Sequence, residues 1–204
     1  MHPFRIALVA ALAASLLASS PALAAGFDDL AAKAQRVDAL EPFLARYVGR
    51  CTDRYELATC QKNVAAARKE VSGKVLVVRV GDAAPLVRPT LEGDRFTLLL
   101  TPFVDGGGGY ALTHGAPSKQ DSAGRPVVGL IPIKGKLPPG TMEMEFQGPF
   151  RTGAVELEIL FTPEKTWKMK RKGEPGDLEG VAARFLAVRV LDSRTGKEIA
   201  SRAL

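Results

Sequence analysis

The hydrophobic positions near the start of the chain follow two different spacings. A dense apolar run covers residues 6–17, whereas from Phe27 to Val48 apolar residues recur every three or four positions. The second spacing places one apolar stripe along a helix. Pro42 lies inside this pattern and predicts a kink or a division of the helix, and Gly49 predicts its end.

A second helix is predicted from Asp53 to Val71. Asp53 with Glu56 three residues later has the spacing of a capping box, and Ser72 and Gly73 favour termination. Together the two segments predict a helical hairpin over residues 25–73. A hairpin of this length is rarely stable alone, so we expect it to pack on the rest of the chain.

From Lys74 onward the hydrophobic period changes to two, which is typical of half-buried strands. Gly, Pro and Asp separate the strand candidates, and residues 192–196 have the pattern of a hairpin turn. The sequence therefore predicts an α+β protein, with the helical hairpin packed on an antiparallel β-sandwich of about eight strands over residues 74–204. The predicted strands are 75–80, 95–100, 127–133, 141–146, 155–161, 167–171, 185–191 and 198–201.

One register can be predicted for the segments on either side of Thr162 and Pro163. Pairing Phe161 with Trp167 places Ile159 opposite Met169, and Glu158 opposite Lys170. Apolar side chains would then share one face and opposite charges the other, as a half-buried hairpin requires.

Residues 1–24 have the layout of a secretory signal peptide. Arg5 precedes the apolar run, and Ala22, Leu23 and Ala24 form a small-residue cleavage site. The run is shorter than the roughly 20 residues of a membrane-spanning helix. We therefore expect a periplasmic or secreted protein without stable membrane insertion after cleavage, with an uncleaved anchor as the alternative.

Cys51 and Cys60 are the two cysteines of the chain, and in an exported protein such a pair predicts a disulfide. Within one continuous helix their Cα atoms would lie about 13 Å apart. Because a disulfide needs less than about 7 Å, the bond requires a chain reversal near Thr52. The eight-residue spacing disfavours a redox-active pair, and the presence of only one histidine in the mature chain disfavours a metal site.

The charge and the scarcity of histidine exclude several functions. A formal net charge of +6 at pH 7 in 204 residues favours anionic surfaces but does not predict a nucleic-acid partner. His2 would leave with the signal peptide, so a zinc site with two or three histidine ligands cannot form within one mature chain. No cofactor motif is present, and we expect neither a metal nor a cofactor.

Residues 101–126 form the most unusual connection, since structureless loops of this length tend to be functional or disordered. The four glycines 106–109 lack the Lys-Ser or Lys-Thr pair of a phosphate loop. The segment could be a binding lid, a flexible surface loop, or an irregular hairpin built on residues 110–113. As a lid it would offer Tyr110, His114, Lys119, Asp121 and Arg125 for binding.

The densest basic stretch is 165–172, which contains Lys168, Lys170 and Lys172 around Trp167. Basic residues beside an aromatic side chain can bind anionic groups. The predicted register argues instead for a solvated strand face opposite Glu156 and Glu158. These two carboxylates, and the pair Glu143 and Glu145, are interpreted as exposed strand charges rather than catalytic acids.

Two stretches carry a resemblance to a known family. Residues 95–126, with Thr101-Pro102-Phe103 and the glycines before Tyr110, and residues 166–201 resemble an uncharacterised family of small exported proteins from myxobacteria-like bacteria. The resemblance would cover nearly the whole mature chain. It implies no activity and no site residue.

The sequence thus favours a non-catalytic periplasmic binding or structural module over an enzyme. Its partner would be a cell-envelope component or another exported protein. One alternative is an envelope-polymer hydrolase that uses His114 as its base. The other is an electrostatic binder of anionic surfaces through Lys168, Lys170 and Lys172.

Overall fold

The computed structural model describes residues 26–122, 124–171 and 176–204. The predicted signal peptide lies outside the described residues, and so does Lys172. The fold is a mixed α+β structure in which most residues of the regular elements belong to strands.

The first predicted helix is in fact two helices separated by a strand. Helix α1 (Phe27–Ala31) is followed by strand β1 (Gln35–Val37) and helix α2 (Leu40–Val48), so one kinked helix over 27–48 is wrong. Pro42 lies in the first turn of α2, where its missing N–H costs no helical hydrogen bond. Gly49 ends α2 with a φ of 68°, which confirms the predicted stop.

Helix α3 (Leu57–Val71) begins four residues later than predicted. The Asp53 carboxylate accepts a hydrogen bond from the backbone N–H of Tyr55 at 2.8 Å, which keeps this segment in a local turn. The helix ends at Val71 as expected. From α3, the Arg68 guanidinium donates hydrogen bonds to the carbonyls of Tyr47 at 2.9 Å and Val48 at 3.2 Å and so caps α2.

The described strands form two sheets. A seven-stranded sheet has the order β1-β2-β8-β9-β6-β5 with β10 also paired to β9, and a three-stranded sheet has the order β3-β4-β7. β1 pairs with β2, and β6 with β9, in parallel, so the large sheet is mixed rather than antiparallel. The bounds are β2 (Leu76–Val80), β3 (Val87–Glu92), β4 (Arg95–Leu100), β5 (Phe103–Gly107), β6 (Tyr110–His114), β7 (Ile131–Lys136), β8 (Val155–Lys170), β9 (Asp177–Asp192) and β10 (Glu198–Ala203), with a 3₁₀ turn at Ala84–Leu86.

Several strand predictions differ from the structure. The predicted strand 141–146 is wrong, because helix α4 (Glu143–Thr152) occupies this segment. The Glu145 carboxylate accepts a hydrogen bond from the backbone N–H of Met142, and Gly153 ends the helix with a φ of 70°. The predicted strand 127–133 is shifted, since β7 begins at Ile131.

The hairpin predicted around Thr162 and Pro163 is also wrong. β8 continues through these residues, and Phe161 pairs with Phe185 while Trp167 pairs with Gly180 on β9. The register shifts between Pro163 and Lys165, which identifies a β-bulge at Glu164. A bulge tolerates a proline within a strand, so the proline marks an irregularity here rather than a turn.

The main apolar core lies on one face of the large sheet, which we call the inner face. Buried side chains of β8 and β9 on this face belong to one cluster with side chains of the small sheet, α2, α3 and α4. The opposite, outer face carries two smaller clusters, one with Phe27 of α1 and one with Trp167. Fully buried members of the inner cluster include Leu44, Leu76, Leu98, Leu100, Leu112, Ile133, Leu157, Ile159 and Phe161.

Candidate functional site

An open cleft of about 680 Å³ lies where three segments of the chain meet. The linker between α2 and α3 forms one wall, the turn between β5 and β6 forms another, and the far ends of β8 and β9 form the third. Charged side chains and glycine backbone dominate its surface. The lining residues are Gly49, Arg50, Cys51, Thr52, Gly108, Gly109, Lys168, Arg171, Gly176, Asp177 and Glu179.

The glycine-rich segment forms a tight hairpin between β5 and β6. Gly108 and Gly109 have φ angles of 58° and 76°, and two successive positive φ angles are what a type I′ turn requires. The preceding glycines let α2 approach closely, because a Cβ at Gly106 would lie 2.4 Å from Cδ1 of Leu44. The irregular-hairpin alternative for the 101–126 segment is therefore the one observed over 103–114.

Arg50 holds this turn in place. Its Nη1 donates to the carbonyl of Gly108 and its Nη2 to the carbonyl of Gly109, both at 3.0 Å. Its Nε donates to Oε2 of Glu179 at 2.7 Å, and the guanidinium lies 4.1 Å from the centroid of the Tyr110 ring. Hydrogen bonds and a cation–π contact thus fix one arginine against two elements of the site.

Glu179 lies beneath the cleft between two cations. Its Oε2 accepts from Arg50, and its Oε1 lies 2.9 Å from Nζ of Lys168. Burial acts to raise the pKa of Glu179, but the hydrogen bonds from Arg50 and Lys168 outweigh it and hold the pKa below its usual value. Glu179 is therefore an ionised, paired carboxylate rather than a proton donor.

Lys168 also pairs with Asp177, whose Oδ2 lies 2.9 Å from Nζ. The hydrogen bond to Asp177, followed by that to Glu179, raises the pKa of Lys168. The hydrogen bond from Lys168 lowers the pKa of Asp177. Each partner stabilises the charged form of the other, so the network is ionised at neutral pH.

The predicted disulfide is present and lies at the edge of the cleft. Cys51 and Cys60 are bonded with their Cα atoms 5.7 Å apart, across the chain reversal before α3. Gly49 packs on α3, since a Cβ there would lie 2.0 Å from Cγ2 of Val64. The glycine and the disulfide on either side of Arg50 therefore fix the backbone from which its side chain extends.

Two of the predicted binding residues lie at opposite ends of β6. Tyr110 lies outside the cleft lining, with its ring against the guanidinium of Arg50. His114 is four residues away, about 13 Å along an extended strand, and its Nδ1 accepts a hydrogen bond from the backbone N–H of Phe185 at 3.0 Å. The structure does not bring these two side chains together.

The other predicted binding residues lie outside the cleft lining. Asp121 and Arg125 form an ion pair at 2.9 Å, and the backbone of Lys119 accepts a hydrogen bond from Val127. The side chain of Gln120 donates to the carbonyl of Lys170 at 2.6 Å, which ties this segment to the end of β8. Gln120 therefore links this part of the 101–126 segment to the sheet, whereas Asp121 and Arg125 contact each other.

The basic stretch contributes one of its named lysines to the cleft lining, Lys168. Lys170 is paired in register with Asp177 on β9. The carboxylates Glu156 and Glu158 contact Arg79 and Arg189, respectively, so they are structural ion-pair partners. Within the described part of the chain, neither carboxylate forms an ion pair with a lysine of the basic stretch, although the predicted hairpin would have required one.

Sequence reasoning missed Arg50, Asp177 and Glu179, and it considered Arg171 only as a member of the basic stretch. Arg171 lies at the same turn as Arg50, since a Cβ at Gly109 would be 3.3 Å from its Nη2 and 3.0 Å from Nη2 of Arg50. The available signal was local, namely that Arg50 stands between a predicted helix stop and a predicted disulfide cysteine. A helix-ending glycine and a disulfide cysteine on either side of Arg50 restrict its backbone, which indicates that its side chain is held in place.

Within the described ranges, no helix is long and apolar enough to cross a membrane. The same residues contain no group of three or more His, Cys, Asp or Glu side chains that could hold a metal ion.

The chain belongs to a family of unknown function, DUF6066, whose profile matches residues 1–202. This agrees with the resemblance of the sequence to an uncharacterised family. No curated protein and no solved structure matches the chain.

Proposed function

We propose that the protein is an exported, non-catalytic binding module and that the cleft is its ligand-binding site. The observation that carries the proposal is the convergence of three chain segments on one rigidly held group, Arg50. A site whose side chains are already fixed loses little conformational entropy when a ligand binds. The ligand would be a cell-envelope component or another exported protein.

Export is part of this proposal. Residues 1–24 have the signal-peptide pattern, and the Cys51–Cys60 bond suits an oxidising compartment such as the periplasm or the cell exterior. A source among myxobacteria-like bacteria remains a prediction from the resemblance alone.

The chemistry of the cleft favours binding over catalysis. Its lining side chains in the described residues include no histidine, and its cysteine is held in the disulfide. The Glu179 and Asp177 carboxylates are paired with cations and have lowered pKa values, which suits neither a general acid nor a strong base.

A thermal-shift screen with a blocked cleft tests the binding site. Thr52 lines the cleft, so Thr52→Trp should fill part of it, and Thr90→Trp on an exposed position of β3 is the matched control. Against purified cell-wall fragments and lipid headgroups, we expect a compound that raises the Tm of the wild type and of Thr90→Trp but not of Thr52→Trp. If no compound does so, or if Thr52→Trp responds equally, the cleft is not the site.

Mass spectrometry of the protein recovered from its native host tests export separately. We expect a mature chain beginning at Ala25 that is 2 Da lighter than its fully reduced form, because one disulfide removes two hydrogens. An intact leader on protein in the cytosol, or two free thiols, would contradict export.

A further inference from the structure

We propose, as a deepening of the proposed binding function and resting on it, that the cleft recognises an oxyanionic group, a phosphate or a carboxylate, through Lys168 and Arg50. Both cations retain N–H groups that are not used in contacts within the described part of the protein.

The number of unused hydrogen-bond donors can be counted for each cation. A lysine ammonium carries three N–H groups, and among the described residues Lys168 uses two of them, on Asp177 and Glu179. An arginine guanidinium carries five, and Arg50 uses one each at Nε, Nη1 and Nη2. Three N–H groups on two cleft-lining side chains are therefore available to a ligand.

One of the two cleft carboxylates is far less accessible than the cationic donors. The Glu179 side chain is 10% exposed with both oxygens engaged, whereas the Lys168 side chain is 61% exposed and that of Arg50 is 37% exposed. Asp177 is 33% exposed and bound to Lys168. Lys168 is thus the most exposed of these four charged groups, and both carboxylates are already bound to cations.

The net charge of the cleft-lining side chains also favours an anion. Arg50, Lys168 and Arg171 line the cleft together with two carboxylates, Asp177 and Glu179, so these side chains carry a net charge of +1 when all are ionised. An anion gains from this field, while a cation would compete with Arg50 and Lys168 for carboxylates that are already paired.

Because the Arg50 guanidinium is held in a fixed orientation, we expect the bound anion to be an oxyanion rather than a halide. Arg50 is fixed in one plane by the carbonyls of Gly108 and Gly109 and by the Tyr110 ring. A planar set of N–H groups in a fixed orientation matches oxygens at defined separations, which a spherical ion does not offer. At about 680 Å³, the cleft leaves room for the molecule that carries the group.

The test is an NMR titration of the full mature protein with inorganic phosphate and, separately, with acetate, at constant ionic strength set by sodium chloride. We expect saturable shifts of the Arg50 Nε–H and of the Gly108 and Gly109 amides. The stronger of the two probes identifies the source as a phosphate or a carboxylate. Non-saturable shifts, or none, with both probes would overturn the inference.

Two lysine variants give the matched comparison. Lys168→Gln should weaken binding of the stronger probe about tenfold, by loss of one charge-assisted hydrogen bond. Lys136→Gln removes the same charge and a comparable ion pair, that with Asp94 at 2.9 Å, but on the small sheet, and should leave binding unchanged. Equal weakening in both variants would mean a general charge effect and would contradict a site at Lys168.

The outcome separates this inference from the proposed function. If an uncharged or cationic compound binds in a way that Thr52→Trp abolishes while phosphate and acetate do not bind, the oxyanion inference fails and the binding module stands. If no compound binds in a Thr52-dependent way, both fail.

Discussion

The two halves of the long β8–β9 hairpin use the same pair of strands for different purposes. In the half nearer to residue 155, the inner-face side chains Leu157, Ile159 and Phe161 are fully buried and form the centre of the core. In the other half, the inner face carries Lys168 opposite Glu179, at the cleft. One half contributes to stability by burial, and the other carries an ionised pair at the cleft, in which Lys168 is exposed and Glu179 is mostly buried.

The β-bulge at Glu164 separates the two halves. Before it, odd-numbered residues of β8 point to the inner face, and after it the even-numbered ones do, because one extra residue shifts the alternation. Trp167 consequently lies on the outer face over Gly180, and its Nε1 donates to Thr113 at 2.9 Å. The extra residue in β8 therefore turns Lys168 to the inner face, under α2 and its linker. A second register shift, between Leu160 and Phe161, skips Leu186 of β9, the strand that carries Glu179.

The largest expected effect tests the half of the β8–β9 hairpin that is buried in the core. Phe161→Ala should lower the free energy of unfolding by about 3–5 kcal/mol, because it leaves a cavity in a fully buried position. Urea denaturation measures the change. Met169→Ala, a half-buried position in the other half, is the control and should cost clearly less. Equal losses in the two variants would show that both halves contribute alike to the core.

Much of the fold could be predicted from local sequence patterns. The turn glycines, the end of α3 at Val71 and the Cys51–Cys60 bond follow from backbone conformation and loop geometry, which depend on neighbouring residues. The hairpin predicted around Thr162 and Pro163 was wrong because the structure of this segment depends on residues that are distant in the sequence. Thr162-Pro163 has the local pattern of a turn, and only pairing with β9, more than 15 residues away, makes it a bulge.

The candidate site was harder to predict than the fold. Tyr110 and Lys168 were identified by their unusual local composition, whereas Glu179 stands in an ordinary context and Arg50 is marked only by the helix stop and the cysteine beside it. Their ion pair joins residues separated by 129 positions, and the parallel pairing of β6 with β9 brings Tyr110 opposite Glu179. Local periodicity carries no information about such pairings, so the charge network could not be derived from the sequence.

A smaller change in the free energy of unfolding is expected for a variant in the charged half of the β8–β9 hairpin. Glu179→Gln should lower the free energy of unfolding by about 2 kcal/mol at pH 7, since Arg50 and Lys168 would lose a mostly buried counter-charge. The pKa of Glu179 is lowered in the folded protein, so its contribution is present above its usual value of 4.5 and is lost as pH falls through the lowered value. The difference from the wild type should therefore shrink on acidification.

Urea denaturation at a series of pH values from 7 to about 3 measures this convergence. Asp94→Asn is the matched control, because it removes an exposed partner of Lys136 at 2.9 Å and should change stability by less than about 1 kcal/mol. Wild-type and Glu179→Gln curves that remain parallel over the whole range would mean that Glu179 is not stabilised in its ionised form.

The smallest effect concerns His114, at the end of β6 away from the cleft. His114→Ala removes the acceptor for the backbone N–H of Phe185 and should lower the free energy of unfolding by about 1 kcal/mol. His114→Asn places a side-chain oxygen near the position of Nδ1 and should recover part of that loss. Both variants should bind any cleft ligand as the wild type does. If His114→Ala instead abolishes turnover of an envelope polymer while its Tm is unchanged, His114 is a catalytic base and the protein is a hydrolase rather than a binding module.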